Sequence, residues 1–143
     1  MVRALLGLVK GAVVGAGVGF GAFHLGLGGG WGYFVYGAIG FLVGLLVGRP
    51  VWSHAADREG TVWTSVLKGL VGVGVGIGLY AIARFAVGDP VLALAGEARP
   101  LTSWTYVFGG AVGALYGAFV EADDAPAAKK AEKDAPGGRQ AEK

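Results

Sequence analysis

The sequence predicts an all-α integral membrane protein in which four glycine-rich apolar helices cross the bilayer. Its 143 residues are 54% hydrophobic and only 15% charged, whereas a typical soluble domain is roughly 25% charged. The charged residues also cluster between long apolar runs. The runs are close to the length of about 20 residues with which a helix spans a bilayer.

The four predicted spans cover residues 5–27, 32–47, 66–87 and 103–120. Lys10 is the one fixed charge in the first span, and its methylene stem lets the ammonium group reach the headgroups. Tryptophan rings are enriched where helices leave a membrane. The tryptophans near the span ends are therefore predicted interface anchors: Trp31, Trp52, Trp63 and Trp104.

Basic residues predict the orientation of the spans, because cytoplasmic loops carry an excess of lysine and arginine. The side that holds both termini carries Arg3, Lys10, Arg49, Arg58, Lys68 and the lysines of the tail, whereas the opposite side carries Arg84 and Arg99. Both termini are therefore expected in the cytoplasm. A bacterial cytoplasmic (inner) membrane is the expected location, since no organelle-targeting segment is recognisable.

The first span has an alternative interpretation as a cleaved signal peptide, because residues 1–10 are basic and an apolar run follows. This run is long for a signal peptide, and its Lys10-Gly11 start resembles Lys68-Gly69 at the start of the third span. A segment so far along the chain cannot be a signal peptide. We therefore expect the first span to be retained.

Two duplicated helical hairpins are predicted from an internal repeat. Residues 31–44 align without gaps on residues 104–117, and half of the aligned positions are identical. The repeats cover about 5–48 and 66–120 of a single transmembrane domain, 1–120. Because each repeat has an even number of spans, the copies are expected to be parallel and related by an axis along the membrane normal. Chance similarity between glycine-rich segments is the alternative.

Glycines spaced by four residues lie on one face of a helix, and in lipid such faces allow close helix packing. The third span has two such rows on opposite sides, and Gly17 with Gly21 gives the first span a second row. Alternating valine and glycine in the third span also fits a strand, but too few such segments exist to close a membrane barrel. The predicted glycine-zipper positions are Gly11, Gly15, Gly19, Gly40, Gly44, Gly48, Gly72, Gly74, Gly76, Gly78, Gly109, Gly113 and Gly117.

His24 and Arg84 are candidates for an intramembrane polar site, because ionisable residues inside a membrane often serve a function. The alternative is that both reach the interface, with Arg84 paired to Asp89 or Glu97. The loop between the second and third spans contains His54 and two acidic residues, but it lacks the spaced ligand pairs of a metal site. No cofactor or metal is expected.

The segments outside the spans are predicted to be a surface helix and a disordered tail. Asp89 and Pro90 have the order of a helix cap and first turn, and Gly96 would end a short helix there. A re-entrant segment is the alternative for residues 88–96. Residues 121–143 are rich in alanine, lysine and acidic residues, and they are predicted to form a disordered charged cytoplasmic tail.

The composition argues against catalysis, because a chain with no cysteine and two histidines offers no set of nucleophile, base and orienting group. The small net charge of +2 also argues against nucleic acid as a partner. We expect a non-catalytic structural or accessory subunit in the lipid bilayer that assembles as a homo-oligomer or in a larger membrane complex. The alternative is a small channel or transporter between the two repeats.

Overall fold

The computed structural model describes residues 2–47 and 61–134, and this part of the chain is mostly helical. Four α-helices form a bundle: α1 (Val2–His24), α2 (Gly32–Leu46), α3 (Thr61–Ala81) and α4 (Thr105–Asp134). A π-helical turn, Ile82–Ala86, extends α3, and short 3₁₀ turns precede α2 and α4. The predicted helical class is therefore confirmed.

Three helical segments of the described chain are long and apolar enough to cross a membrane, namely Val2–His24, Gly29–Leu46 and Trp63–Ala86. They coincide with the first three predicted spans and are compatible with a membrane protein. The apolar part of α4 is followed at once by Glu121, Asp123 and Asp124. A fourth crossing through α4 stays a prediction.

The helices alternate in direction, and their most extensive contacts join α1 to α4 and α2 to α3. Gly7 of α1 lies against Gly117, and Gly19 lies against Thr105, so α1 and α4 are antiparallel. The start of α1 therefore lies at the same end of the bundle as residues 117–124. We call this the terminal end, and we call the end that carries residues 25–31 and 88–103 the hairpin end.

Glycine is what allows the paired helices to approach so closely. A Cβ atom on Gly11 would overlap the carbonyl oxygen of Gly113, and one on Gly40 would overlap the carbonyl oxygen of Gly72. Any larger residue would force the two backbones apart, because backbone atoms cannot rotate away as side chains do. A Cβ would also meet the partner backbone below 3.0 Å at Gly7, Gly15, Gly19, Gly44, Gly76, Gly109 and Gly117.

The two helix pairs use one contact pattern. Gly113 of α4 aligns in sequence with Gly40 of α2, and these two glycines contact Gly11 and Gly72, respectively. By these contacts, Gly11 in the first repeat corresponds to Gly72 in the second repeat. The sequence comparison suggests Gly69 instead, three residues earlier. The duplication itself stays a prediction, but the equal spacing of the contacts in both pairs is what a repeat would produce.

One cluster of buried side chains from all four helices joins the two pairs. Tyr36 and Ile39 are completely buried, and the hydroxyl of Tyr36 donates to the carbonyl oxygen of Thr102 at 2.7 Å. Tyr116 similarly donates to the carbonyl oxygen of Lys68. Buried hydroxyl groups need such partners. The cluster comprises Ala22, Val35, Tyr36, Ile39, Val43, Val47, Tyr80, Val112, Tyr116 and Val120.

The predicted surface helix at residues 88–96 is wrong, since this segment begins an antiparallel β-hairpin of β1 (Val91–Leu94) and β2 (Glu97–Pro100). Ala95 and Gly96 both have positive φ, at 52° and 83°, as the two central residues of a type I′ turn require. Asp89 does not cap a helix. Its carboxylate accepts from the Thr102 amide at 2.9 Å and from the Thr102 hydroxyl at 2.6 Å.

The predicted disordered tail also differs from the structure in part, because α4 continues to Asp134. Among the described residues, three ion pairs join its first charged turns to the bundle: Lys10 Nζ lies 3.0 Å from Glu121 Oε1, and Lys68 pairs with both Asp123 and Asp124. Alanine, glutamate and lysine also favour helix. Residues 135–143 of the predicted tail lie outside the described residues.

The bundle should tolerate a methyl group on the outside of α1 but not between α1 and α4. Gly11→Ala should lower the free energy of unfolding by about 1–3 kcal/mol, the usual cost of overpacking. Gly17→Ala, where a Cβ meets no atom within 4 Å, should raise it by up to about 1 kcal/mol, because alanine favours helix. Denaturant unfolding in micelles, followed by circular dichroism, measures both. Equal effects would contradict the close α1–α4 contact.

Candidate assembly interface

The predicted helix-packing glycines fall into two classes in the structure. Gly72 and Gly76 face α2, where a Cβ would overlap the backbone of Gly40 and Tyr36. Gly74 and Gly78 lie on the other side of α3, and a Cβ at either position meets no atom within 4 Å. The structure therefore uses one glycine row of α3 inside the bundle and leaves the other row open.

Exposed apolar side chains lie next to the open row of α3. Leu70 and Val71 precede Gly74 by about one helical turn, and Ile82 follows Gly78 by four residues, so these side chains lie near the two glycines on one face. Their exposed fractions are 56%, 50% and 55%, respectively. We call these five residues, Leu70, Val71, Gly74, Gly78 and Ile82, the outer glycine face.

A second open row lies on α1. Gly17 and Gly21 also have no atom within 4 Å of a Cβ position, and Val13 and Phe20 beside them are 67% and 56% exposed. Because Gly11 and Gly72 occupy equivalent positions in the two helix pairs, Gly17 and Gly78, six residues further along each helix, are equivalent as well. Both helix pairs therefore carry an open glycine on the equivalent side.

The predicted tryptophan anchors occupy different environments. Trp31 and Trp63 are 59% and 70% exposed, as interface anchors require. Trp104 is only 2% exposed, its ring stacks on Phe23 with centroids 5.7 Å apart, and its Nε1 donates to the carbonyl oxygen of Leu92 at 3.0 Å. Trp104 is therefore a core residue of the hairpin end. The predicted anchor Trp52 and the predicted packing residue Gly48 lie outside the described residues.

His24 and Arg84 have separate partners at the hairpin end. His24 is exposed, and its Nδ1 lies 3.1 Å from the carbonyl oxygen of Phe20 in its own helix. Arg84 donates from Nη1 to the Tyr80 hydroxyl at 3.3 Å and does not pair with Asp89 or Glu97, which bind Thr102 and Arg99 instead. The two residues do not form a shared polar site.

A buried polar cluster, which the sequence did not suggest, ties the hairpin to the bundle. Thr102 is 1% exposed, it donates twice to Asp89, and its carbonyl oxygen accepts from Tyr36. Tyr80 stacks on Tyr36 with centroids 5.2 Å apart and donates to the carbonyl oxygen of Gly29 at 3.0 Å. The sequence signal was weak, because a single aspartate and threonine 13 residues apart form no recognisable motif.

Hydroxyl groups of the described bundle bind the backbone of neighbouring segments. Among the side chains that the structure describes, no three histidine or acidic groups lie close enough together to hold a metal ion. The hydroxyl groups of Tyr36, Tyr80 and Thr105 donate to backbone carbonyl oxygens. The expected absence of catalysis, metal and cofactor stays a prediction.

No protein-family model, curated protein or solved structure matched this chain. Among the described surfaces, the outer glycine face repeats on the outside of the bundle the four-residue glycine spacing that brings α2 and α3 together on the inside.

The Asp89–Thr102 contact should carry much of the stability of the hairpin end. Asp89→Ala leaves the buried Thr102 donors without an acceptor, so the free energy of unfolding should fall by about 1–3 kcal/mol. Asp89→Asn should lose less, because asparagine keeps one acceptor and tolerates the positive φ of 48° better than alanine does.

The matched control is Glu97→Gln, which breaks the exposed Arg99–Glu97 ion pair and should cost less than about 1 kcal/mol. Denaturant unfolding in micelles compares the three variants. A larger loss in Glu97→Gln than in Asp89→Ala would show that the buried contact is unimportant.

Proposed function

We propose that this chain is a non-catalytic integral membrane subunit that self-assembles through the outer glycine face of α3. The observation that carries the proposal is that Gly74 and Gly78 lie open on the surface of a helix long and apolar enough to span a membrane. The occupant we propose for this face is the same face of a second copy. Two such faces would meet in an isologous contact, the commonest arrangement in homo-oligomers.

The exterior of the bundle supports placement in lipid. The outward side chains of α1 include Leu5, Val9 and Val13, each more than half exposed. The π-helical turn after α3 exposes Phe85 at 71%, and α4 exposes Phe119 at 66%. Soluble monomers rarely expose contiguous apolar surface of this kind. Lipid chains solvate it without cost.

Open glycines on a helix surface call for a compensating contact. Glycine inside a helix costs about 0.5–1 kcal/mol relative to alanine, and at Gly74 and Gly78 no intramolecular contact offsets that cost. Within the chain, glycines spaced by four residues serve close backbone approach, as at Gly40 and Gly72. The same glycine-zipper spacing on the outside therefore favours the same kind of contact between copies.

The packed centre of the bundle favours a structural subunit over a channel within one copy. A permeation path needs polar side chains or wetted carbonyl groups along it. The described centre contains Tyr36, Ile39 and Val43, all completely buried, and the tyrosine hydroxyl is engaged by Thr102. A passage between the two repeats would have to displace this cluster.

The distribution of basic residues supports a location with the terminal end in the cytoplasm. Arg3, Lys10 and Lys68 belong to the terminal end, where Lys10 and Lys68 pair with acidic residues of α4. The bacterial cytoplasmic membrane stays the expected location. The four-span topology of the proposal adds α4 as the last crossing, with Glu121 and Asp124 at the headgroups.

The test is the mass of the particle after gentle extraction, measured by native mass spectrometry. The wild-type chain should be a dimer, and the double variant Gly74→Leu, Gly78→Leu should be a monomer, because leucine side chains hold the two faces apart. Ala111→Leu is the matched control, since Ala111 is exposed on α4 away from the outer glycine face. It should keep the oligomer.

Membrane integration is checked separately by resistance of the chain to alkaline extraction from membranes. Release of the wild-type chain would contradict the membrane placement. An unchanged oligomer in the double variant would contradict the role of the outer glycine face. A third outcome would contradict self-assembly. In it, the wild-type particle holds one copy of this chain with one copy of a different membrane protein, and the double variant loses that protein.

A further inference from the structure

A cavity of 370 Å³ opens at the hairpin end between the end of α1 and β2. It lies on the side where α1 meets α4, away from the outer glycine face. Its lining combines an arginine, a serine and two glycines with apolar residues. Its lining residues are Phe23, Gly26, Gly28, Arg99, Pro100 and Ser103.

The guanidinium group of Arg99 is held in a fixed place at this cavity. Its central carbon lies 5.3 Å from the ring centre of Phe23 and 5.8 Å from that of Trp104. These two rings are stacked within 9° of parallel, and Trp104 is anchored to β1 by its bond to Leu92. Cation–π contact with two packed rings therefore orients the arginine before any ligand arrives.

Arg99 retains donors for a ligand. Its Nη2 pairs with Glu97 Oε2 at 2.6 Å, whereas an arginine carries five N–H donors in a planar fork. The side chains of the pair are 46% and 55% exposed, and an ion pair in such an environment is weak. An incoming anion can therefore use the remaining donors and compete for those held by Glu97.

We propose that this cavity binds a phosphate group through Arg99, and that the phosphate belongs to a phospholipid headgroup. A planar guanidinium group matches the oxygens of a phosphate with paired hydrogen bonds. The Ser103 hydroxyl group adds a donor at the same cavity. The inference rests on the membrane placement proposed above, and it adds a specific lipid contact to it.

The surroundings of the cavity favour a lipid over a soluble phosphate. An aromatic surface continues from the cavity along the contact between α1 and α4. The ring centre of Tyr106 lies 5.3 Å from that of Phe23 and 6.4 Å from that of Phe20. Phe20 is 56% exposed and lies almost one turn deeper along α1 than Phe23. An acyl chain attached to a phosphate at Arg99 would lie on this surface.

The test measures lipid retention by native mass spectrometry of the protein from nanodiscs. One set contains phosphatidylglycerol, and the other contains a galactosyl diacylglycerol, which has no phosphate. The wild-type chain should retain phosphatidylglycerol in preference to the galactosyl diacylglycerol. Arg99→Gln should reduce the retained fraction about tenfold, as expected when a charged hydrogen-bonding group is lost.

Two further variants make the result specific. Arg84→Gln removes a positive charge at the same end of the bundle outside the cavity, and it should retain lipid as the wild type does. Ser103→Leu fills the cavity and leaves Arg99 in place, so it should lose the lipid even if Arg99→Gln fails to fold. Equal retention of phosphatidylglycerol by wild type, Arg99→Gln and Ser103→Leu would overturn the proposal.

A competition arm identifies the source of the phosphate. Inorganic phosphate at millimolar concentration should leave the retained phosphatidylglycerol unchanged if the apolar surface contributes to binding. The opposite result is that inorganic phosphate displaces the lipid from the wild-type chain and has no such effect on Arg99→Gln. That result would overturn the proposal that the phosphate at Arg99 belongs to a lipid. Because the same spectra report the oligomer, and alkaline extraction reports integration, failure of this inference is distinguishable from failure of the proposed function.

Discussion

The bundle depends on direct contact between helix backbones. At Gly11–Gly113 and at Gly40–Gly72 there is no room for a methyl group, so each pair is held by van der Waals contact along its length. Close approach also sets which side chains face the centre, where Tyr36 and Tyr116 reach across to Thr102 and Lys68. The core tyrosines would not find these carbonyl oxygens if either pair were spread apart.

Much of this architecture follows from residue spacing. The apolar runs predict four spans, and three of them coincide with helices long and apolar enough to cross a membrane. The two glycine rows of α3 do lie on opposite sides of the helix. Spacing cannot identify the partner of a row, because a smooth face fits any other smooth face. In the structure α1 pairs with α4. The contacts also make Gly72, and not Gly69, the residue that corresponds to Gly11 in the other repeat.

The hairpin end was predicted less well, because its structure depends on contacts between residues distant in sequence. Asp89 and Pro90 look like the start of a helix, but the Asp89 carboxylate binds Thr102, and the Ala95-Gly96 turn pairs two short strands. Trp104 aligns with Trp31, yet only Trp104 is covered by Phe23 and β1. The helix turn at Glu121 pairs with Lys10 of α1, a partner so distant in sequence that local composition does not reveal it.

The pairing of the first helix with the last has a consequence for biosynthesis. Lys10 and Glu121, which close the α1–α4 contact, lie 111 residues apart along the chain, whereas α2 and α3 are neighbours in sequence. The α2–α3 pair can form as soon as both helices have been made, because the chain between them is short. The glycine row of α1 can meet its partner only after α4 has been made, so the α1–α4 contact is the later of the two to form.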